Sequence, residues 1–299
     1  VLHSHPSWLV RRWIERYGAQ TAEELLRSNN RHAPLIIRVN RLRNTRDELL
    51  GMLADQGAEA RRTASSPVGI ELLSSPGLTG LPAFKEGRFF VQDESAQLVG
   101  LLLGPQPGER VLDACAAPGG KATHIAELME NKGEVVALES EQKRMGRISE
   151  NSSRLGITII RPVQGDAAIY KEKEFDRVLV DAPCSGLGVL RRHPDGRWTR
   201  NEESIKERGK LQARILANCA RLVRPGGVLV YATCTTEPEE NEEVVNGFLA
   251  KHPAFTLDDP LPHLPAAAAK FSGPDRFFRT FPQEPMMDGF FAARLVRAT

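Results

Sequence analysis

From about residue 89 onward, short runs of apolar residues alternate with amphipathic stretches. The apolar runs predict strands at 110–113, 134–138, 158–163, 177–180 and 228–232. The stretches between them predict helices at 95–103, 122–129, 141–155, 201–222 and 238–251. Two further runs, 276–281 and 290–296, flank a turn and indicate an antiparallel hairpin. Because apolar strands that alternate with helices are typical of a parallel sheet covered on both faces, the pattern predicts an α/β domain with seven mostly parallel strands.

The first ninety residues follow a different pattern. An apolar run at 35–39 predicts a strand, and a second strand is predicted at 70–73. Between them, Thr45 opens a predicted helix, and Glu48 three residues later completes a capping-box pattern. The sequence therefore predicts a small α+β domain at 1–87, which we interpret as an RNA-binding accessory domain, ahead of the main domain at 88–299.

Composition restricts the class of protein. The chain has 299 residues, with 40 Lys and Arg against 38 Asp and Glu, and four cysteines. These figures are typical of a globular protein and exclude a collagen-like or disulfide-scaffold chain. Apolar runs fall short of the roughly 18 residues that a membrane span requires, and the first residues lack the apolar centre of a signal peptide. We therefore expect a cytoplasmic, monomeric protein with reduced thiols and no membrane contact.

Charge is unevenly distributed along the chain. Residues 1–90 contain 13 Lys and Arg against 9 Asp and Glu, whereas the whole chain has a formal charge of only +2. Guanidinium groups match phosphate oxygens, so the arginine clusters predict a phosphate-facing surface. The alternative is an ordinary solvated surface. One cluster comprises Arg11, Arg12 and Arg16, and the side chains assigned to phosphate contact are Arg38, Arg41, Arg43, Arg191, Arg192, His193 and Arg197.

A glycine-containing turn joins the first predicted strand of the main domain to the following helix. A turn at this position binds a nucleotide-like cofactor in doubly wound folds, although its glycine spacing differs from that of dinucleotide and nucleoside triphosphate sites. Carboxylates that end the next three strands would repel a polyphosphate but suit a cationic adenosine, which indicates S-adenosylmethionine. The alternative is that the glycines form only a tight turn and the acids cap helices. The predicted cofactor residues are Cys115, Ala116, Ala117, Pro118, Gly119, Gly120, Lys121, Glu139, Asp166 and Asp181.

Two of the four cysteines follow adjacent predicted strands. Cys184 comes after the strand at 177–180, and Cys234 after the strand at 228–232. Since the carboxyl ends of parallel strands meet at one edge of a sheet, both thiols are expected beside the cofactor. Cys219 is interpreted as a packing residue on a helix. The cysteine spacing does not match a zinc site, so no metal is expected.

Thiols beside a methyl donor indicate methylation at a carbon that is not itself nucleophilic, such as C5 of a pyrimidine. A thiolate that adds to C6 makes C5 nucleophilic, and the C5 proton and the thiolate then leave. Asp181 could supply a proton or a hydrogen bond at N3 of cytosine, and Lys121 would favour the thiolate. The target base must leave its stack or be single-stranded, because the thiolate attacks from above the ring. The residues alone do not decide between Cys184 and Cys234 as the nucleophile.

Three motifs resemble those of the NOL1/NOP2/Sun family of RNA cytosine-5 methyltransferases, and in particular its bacterial Sun/Fmu type, which acts on 16S rRNA. The first is Cys-Ala-Ala-Pro-Gly-Gly-Lys at 115–121. The second is Asp-Ala-Pro-Cys-Ser-Gly at 181–186, with Arg-Arg-His-Pro-Asp at 191–195. The third is Tyr-Ala-Thr-Cys-Thr at 231–235, followed by Pro-Glu-Glu-Asn. The resemblance extends over essentially the whole chain.

This resemblance implies a Rossmann-like class I methyltransferase domain, S-adenosylmethionine as the cofactor and RNA, 16S rRNA in particular, as the partner. It also implies that Cys234 is the nucleophile and that Cys184 assists product release. Sun/Fmu proteins usually carry a helical NusB-like RNA-binding domain upstream, so we expect this chain to be part of a longer protein. The alternative functions are a tRNA cytosine-5 methyltransferase and a non-catalytic RNA-binding factor in ribosome assembly.

Overall fold

The computed structural model describes residues 3–282 and 287–299, and these ranges contain two β-sheets. The smaller sheet has the strand order β2-β3-β1-β4, and each pair of neighbouring strands in it is antiparallel. The elements of this N-terminal part are α1 (Ser7–Tyr17), α2 (Ala19–Ser28), β1 (Leu35–Val39), α3 (Arg46–Asp55), β2 (Glu59–Arg62), β3 (Gly69–Ser74), α4 (Pro82–Lys85) and β4 (Phe89–Val91).

Helix α3 begins as its sequence predicts. The Thr45 side chain accepts a hydrogen bond from the Glu48 amide, and the Glu48 carboxylate accepts one from the Thr45 amide, which confirms the capping box. The apolar face of the helix buries Leu49 and Leu53 in a core that also contains Phe89 of the small sheet. Helix and sheet therefore share one small core.

The predicted boundary at residue 87 differs from the structure in two respects. Strand β4 pairs with β1, so the small sheet extends to Val91. Helices α1 and α2 pack against residues of the larger part, since Leu9 and Trp13 lie in one apolar cluster with Leu187 and Leu190. Contacts between residues this far apart in the chain leave no local sequence pattern, so the predicted single unit at 1–87 was too simple.

The larger sheet has the strand order β10-β12-β9-β8-β5-β6-β7, with β11 paired to β12. Strands β5 to β9 are joined by parallel pairs, whereas β12 is antiparallel to β9, β10 and β11. The mostly parallel sheet and its closing hairpin are thus confirmed, while the centre of the predicted turn, 283–286, lies outside the described residues. The predicted number of seven strands is corrected to eight within the described residues, because the three-residue strand β10 was not predicted. The strands are β5 (Arg110–Asp113), β6 (Glu134–Glu139), β7 (Ile160–Gln164), β8 (Phe175–Asp181), β9 (Val223–Thr233), β10 (Phe255–Leu257), β11 (Phe278–Thr280) and β12 (Phe290–Arg297).

Helices cover both faces of this sheet. Val111 packs in one core with residues of α5 and α6, whereas its neighbour Leu112 packs in a second core with residues of α9 and α10. The helices of this part are α5 (Glu94–Leu103), α6 (Gly120–Leu128), α7 (Gln142–Leu155), α8 (Gly196–Thr199), α9 (Glu202–Ala220) and α10 (Glu242–Leu249). Within 3–282 and 287–299, none of the helices is both long and apolar enough to cross a membrane.

Arg38 joins the small sheet to the larger domain. Its side chain is fully buried, and its Nη2 atom lies 2.8 Å from Oε1 of Glu127 on α6. The guanidinium group also donates to the carbonyl oxygen of Gly120 at 2.7 Å and to Oγ1 of Thr123 at 3.0 Å. The prediction that Arg38 contacts phosphate is therefore corrected, because its hydrogen bonds are used inside the protein.

Replacing Arg38 by Met is expected to lower the free energy of unfolding by about 3–5 kcal/mol, because Glu127 would remain buried without its partner. Urea denaturation followed by circular dichroism measures this loss. Arg41 is exposed, so the control Arg41→Met removes the same charge and should change the free energy by less than about 0.5 kcal/mol. Equal losses in the two variants would contradict the structural role of Arg38.

Candidate active site

The loop between β5 and α6 forms one wall of a cavity of about 360 Å³ at the carboxyl edge of the larger sheet. The amide of Ala116 donates to the carbonyl oxygen of Leu138 at 2.9 Å, which fixes the loop against β6. Gly119 has a φ of +101°, a conformation that favours glycine, and α6 begins at the next residue. Of the predicted cofactor residues in this loop, those that line the cavity are Cys115, Ala117 and Lys121.

The three predicted carboxylates lie around the same cavity. Glu139 ends β6 and is almost fully buried, and its Oε2 accepts a hydrogen bond from the Ala117 amide at 3.3 Å. Asp166 follows β7, and its Oδ1 accepts from the Ala168 amide at 2.8 Å. Asp181 ends β8. The parallel strand order therefore collects side chains that are far apart in the chain into one site.

These residues fit S-adenosylmethionine. The cavity volume of about 360 Å³ lies within the range of roughly 300–1,000 Å³ found for small-molecule sites. Glu139 would hold the ribose hydroxyls and Asp166 the adenine amino group, while Leu211 and Ile215 supply apolar wall. Three carboxylates against two basic side chains, Lys121 and Arg144, together with the apolar wall, suit the cavity to a cationic nucleoside.

Lys121 and Asp181 form an ion pair in the wall of this cavity. The Lys121 Nζ atom lies 2.6 Å from Oδ2 of Asp181. Burial disfavours the charged form of Lys121, but Asp181 outweighs that effect and the pKa of Lys121 is raised. The ammonium group therefore stays protonated at neutral pH and places a positive charge close to the thiols.

The two predicted working thiols meet at this edge of the sheet. The Sγ atoms of Cys184 and Cys234 are 3.2 Å apart, and both residues are free, half-buried cysteines. The hydrogen bond with Cys234, together with burial, raises the pKa of the Cys184 thiol. Cys219 lies apart from this pair, fully buried on α9, where burial raises its pKa to about 12.

A second cavity, of about 530 Å³, lies beside the first. Three residues line both cavities, namely Cys184, Cys234 and Phe290. The remaining wall of the second cavity includes Pro118 of the cofactor loop as well as Arg192, His193 and Arg200. The thiols therefore stand at the boundary between the predicted cofactor cavity and a larger cavity with basic side chains.

Buried polar residues join the two cysteine segments, and the sequence-based interpretation assigned them no role. The hydroxyl groups of Ser185 and Thr235 are 2.8 Å apart. Glu240 is fully buried, and its Oε2 accepts a hydrogen bond from the Ser185 amide at 2.8 Å. Asn241 donates through Nδ2 to the carbonyl oxygen of Thr235 at 3.0 Å. The Pro-Glu-Glu-Asn motif, noticed only as part of the resemblance, thus ties the segment after Cys184 to the segment after Cys234.

Arg191 and Arg192, predicted to contact phosphate, take part in ion pairs. Nε of Arg191 lies 3.0 Å from Oδ1 of Asp288, and Nε of Arg192 lies 2.6 Å from Oδ2 of the same carboxylate. Nη2 of Arg192 also lies 2.8 Å from Oδ2 of Asp93. The Arg191 side chain is fully buried, whereas 26% of the Arg192 side chain is exposed. The prediction is corrected for Arg191, which is enclosed by protein.

The remaining predicted phosphate contacts divide into two groups. Arg197 is buried and donates to Oδ1 of Asn30 at 2.7 Å, so its assignment is also corrected. Arg43, Arg41 and His193 are exposed, although Arg43 donates to the carbonyl oxygens of Leu155 and Glu86. Exposed side chains of this kind remain predicted contacts for phosphate.

Asp113 is a buried acid at the end of β5. It is fully buried, and burial followed by the neighbouring charge of Asp181 raises its pKa to about 7. The folded protein therefore keeps this proton at pH values where the unfolded chain has lost it. The corresponding stability is present below about pH 4 and is lost as the pH rises to about 7.

Asp113→Asn should therefore become more stable relative to the wild-type chain as the pH rises from about 4 to about 7. The gain should not exceed about 4 kcal/mol, at roughly 1.4 kcal/mol for each unit of pKa. Urea titrations at a series of pH values measure the difference between the two proteins. A difference that is constant over this pH range would show that Asp113 does not bind a proton preferentially in the folded state.

Fold and site together define a class of protein. The sheet is mostly parallel, is covered by helices on both faces and is closed by an antiparallel hairpin, and a cavity lined by three carboxylates lies at its carboxyl edge. This architecture is the fold of a class I S-adenosylmethionine-dependent methyltransferase. The chain belongs to the 16S rRNA methyltransferase RsmB/F family, which it matches over residues 100–296. Residues 5–78 match the ferredoxin-like domain of RsmF/B-like methyltransferases. The resemblance predicted from the motifs is thus confirmed.

Individual relatives agree with this placement. The chain is 41% identical to the probable ribosomal RNA small subunit methyltransferase B of Bacillus subtilis (strain 168), over 96% of this chain and 65% of that protein. It is similar to the solved structure of PH0851 with a TM-score of 0.91 and 37% identity, over 98% of this chain and 66% of that one. A methyltransferase homolog protein from Pyrococcus horikoshii gives a TM-score of 0.85 at 29% identity, over 99% and 96% of the two chains. The chain thus spans about two thirds of the curated relative.

Proposed function

We propose that this chain transfers a methyl group from S-adenosylmethionine to C5 of a cytosine in RNA, with 16S rRNA as the substrate, by covalent catalysis through Cys234. The observation that carries the proposal is the pair of thiols, 3.2 Å apart, at the boundary between two cavities. One cavity fits the methyl donor, and the other is large enough for an extruded base. A nucleophile between them could reach the base on one side while the methyl donor lies on the other.

The roles of the two thiols follow the family resemblance. S-Adenosylmethionine, when bound, supplies a methyl group activated by the adjoining sulfonium. Cys234 adds as a thiolate to C6 of the cytosine, so that C5 gains nucleophilic character. After methylation, the proton on C5 passes to solvent water and its bonding electron pair forms the C5–C6 double bond. The bond from Sγ of Cys234 to C6 breaks at the same stage, so Cys234 leaves as a thiolate and the aromatic ring is restored. Cys184, whose raised pKa keeps it in the thiol form, assists this last stage.

Asp181 and Lys121 support the addition step. The carboxyl group of Asp181 supplies a proton or a hydrogen bond to N3 of the cytosine, and a proton at N3 makes C6 more electrophilic. Nζ of Lys121 lies 2.6 Å from Oδ2 of Asp181, and both residues line the same cavity as the two thiols. The Lys121 ammonium group and both thiols line this cavity, and an adjacent positive charge stabilises an anion such as a thiolate.

Basic residues around the second cavity support a nucleic acid as the substrate. His193 and Arg200 line it together with Phe290, as does Arg192, whose guanidinium group is paired with Asp93 and Asp288. Trp198, which lies between Gly196 and Arg200 in the chain, exposes 59% of its surface. Recognition of single-stranded RNA commonly combines stacking on aromatic rings with contacts to phosphate. The ribosomal relatives favour small-subunit rRNA over tRNA as the substrate.

The experiment that tests this proposal is methyl transfer from labelled S-adenosylmethionine to purified RNA, followed by digestion to nucleosides. Unmethylated 16S rRNA and unmethylated tRNA are offered separately. The proposal predicts label in 5-methylcytidine from 16S rRNA, and label in tRNA alone would favour the tRNA alternative. Binding of 16S rRNA without any transfer or cofactor affinity would favour a non-catalytic assembly factor.

A further inference from the structure

Helix α1 contacts the segment that follows Cys234. Glu237 is fully buried, and its Oε1 accepts a hydrogen bond from Nε1 of Trp13 at 3.0 Å. The guanidinium group of Arg12 forms ion pairs with Glu237 and Glu239. One residue closer to the cysteine, the carbonyl oxygen of Thr236 accepts from the Arg16 guanidinium group and from the Tyr17 hydroxyl. Arg12 and Arg16, which the sequence placed in a phosphate-facing cluster, are thus occupied within the protein.

The same helix packs against the segment that follows Cys184. Leu9 and Trp13 are fully buried in one apolar cluster with Leu187 and Leu190. Leu187 lies three residues after Cys184. Gly188, in the same segment, donates its amide hydrogen to the carbonyl oxygen of Cys234 at 3.1 Å. Helix α1 therefore touches both cysteine segments, one through polar contacts and the other through apolar packing.

The polar contacts of helix α1 restrict the movement of the segment that follows Cys234. A buried carboxylate needs charged or hydrogen-bonding partners, and Glu237 is served by Arg12 and Trp13. Each of these side chains contacts a residue more than 220 positions away in the chain. Loss of either contact would leave Glu237 partly unsatisfied and free the segment after Cys234 to move.

We infer that helix α1 positions the two thiols, with Arg12 and Trp13 acting as positioning residues through Glu237. This inference rests on the proposed function, in which the thiols must meet the base at a defined place. Neither residue touches a reacting atom. Displacements of about 1 Å at a reacting group can cost on the order of 100-fold in rate. The N-terminal helix is thus part of the scaffold that holds the catalytic residues.

The test uses Arg12→Met and Trp13→Phe, with Arg27→Met as the matched control. Arg27 is an exposed arginine on the neighbouring helix α2, so its replacement removes the same charge without touching Glu237. The two test variants should lose about 10- to 100-fold in the single-turnover rate, with unchanged affinity for S-adenosylmethionine and RNA. The control should keep the wild-type rate. Arg12→Lys, which retains the charge, should recover part of the loss.

A second readout separates positioning from general stability and does not need RNA. The rate at which iodoacetamide alkylates Cys234, followed by mass spectrometry, should rise at least about threefold in both test variants, because local opening exposes the thiol. It should stay unchanged in Arg27→Met. The inference would be overturned if the test variants showed the same alkylation rate of Cys234 and the same single-turnover rate as the control. It would also be overturned if their single-turnover rate fell while the alkylation rate of Cys234 stayed at the wild-type value. Trp13→Phe keeps an aromatic ring and decides the matter if Arg12→Met does not fold.

The variant Cys234→Ala distinguishes a failure of the proposed function from a failure of the inference about helix α1. If that variant kept full turnover, Cys234 would not be the nucleophile and the proposed function would fail. The alkylation rates of Cys234 in the helix α1 variants would still report whether the helix holds its segment. The two claims are therefore tested by different measurements.

Discussion

Replacement of Cys234 by Ala is expected to abolish methyl transfer, with a loss of at least about 10⁴-fold, as when the nucleophile of a covalent mechanism is removed. Without the thiolate, C6 of the cytosine receives no nucleophile and C5 stays unreactive. Transfer of label from S-adenosylmethionine to RNA measures the loss. The affinity for S-adenosylmethionine should remain, because the carboxylates around the cofactor cavity are unchanged.

The matched control is Cys219→Ala. Cys219 is a fully buried cysteine on α9 that packs away from the thiol pair, so its removal deletes a thiol from the core alone. Turnover in this variant should stay within about twofold of wild type, with a modest fall in stability. If Cys234→Ala also kept its turnover, the nucleophile would be assigned to the wrong residue.

Replacement of Cys184 by Ala is expected to produce a different defect. Methyl transfer can still occur once, but loss of the C5 proton and release of Cys234 are slowed, so enzyme covalently bound to RNA accumulates. A denaturing gel shows the adduct as a slower band that disappears after nuclease treatment. With RNA and S-adenosylmethionine in excess, most of the enzyme should be found in this band.

The double variant Cys184→Ala, Cys234→Ala is the control for that band. It keeps the Cys184 change but lacks the proposed attachment point, so it should form no adduct. An adduct of equal yield in the double variant would place the covalent bond on another residue. An adduct that forms with Cys234→Ala alone, and not with Cys184→Ala, would exchange the roles of the two thiols.

The meeting of the two thiols could be predicted from the sequence because it depends on sheet topology. Cys184 follows β8 and Cys234 follows β9, and these strands are parallel neighbours. The positions of Glu139, Asp166 and Asp181 at one cavity follow from the same rule. A run of apolar residues fixes where a strand ends, and strand order then fixes which ends meet.

The burial of Arg38 could not be predicted in this way. Arg38 alternates with Ile37 and Val39 along β1, which is the pattern of a strand with one solvent-exposed face. In the structure, the face of β1 that carries Arg38 is covered by α6, and Arg38 forms an ion pair there with Glu127. The contact between Trp13 and Glu237 escaped prediction for a related reason, since the two residues are 224 positions apart. Strand β10 has only three residues, too few for a periodic pattern.

The central claim is that this chain methylates C5 of cytosine, and it predicts that the hydrogen on that carbon is lost. RNA prepared with tritium at C5 of cytosine tests this directly, because each methyl group transferred should release one tritium to water. The account predicts equal rates of methyl transfer and tritium release in the wild-type chain and neither in Cys234→Ala. Methyl transfer to this RNA without tritium release would place the methyl group on another atom and contradict the account.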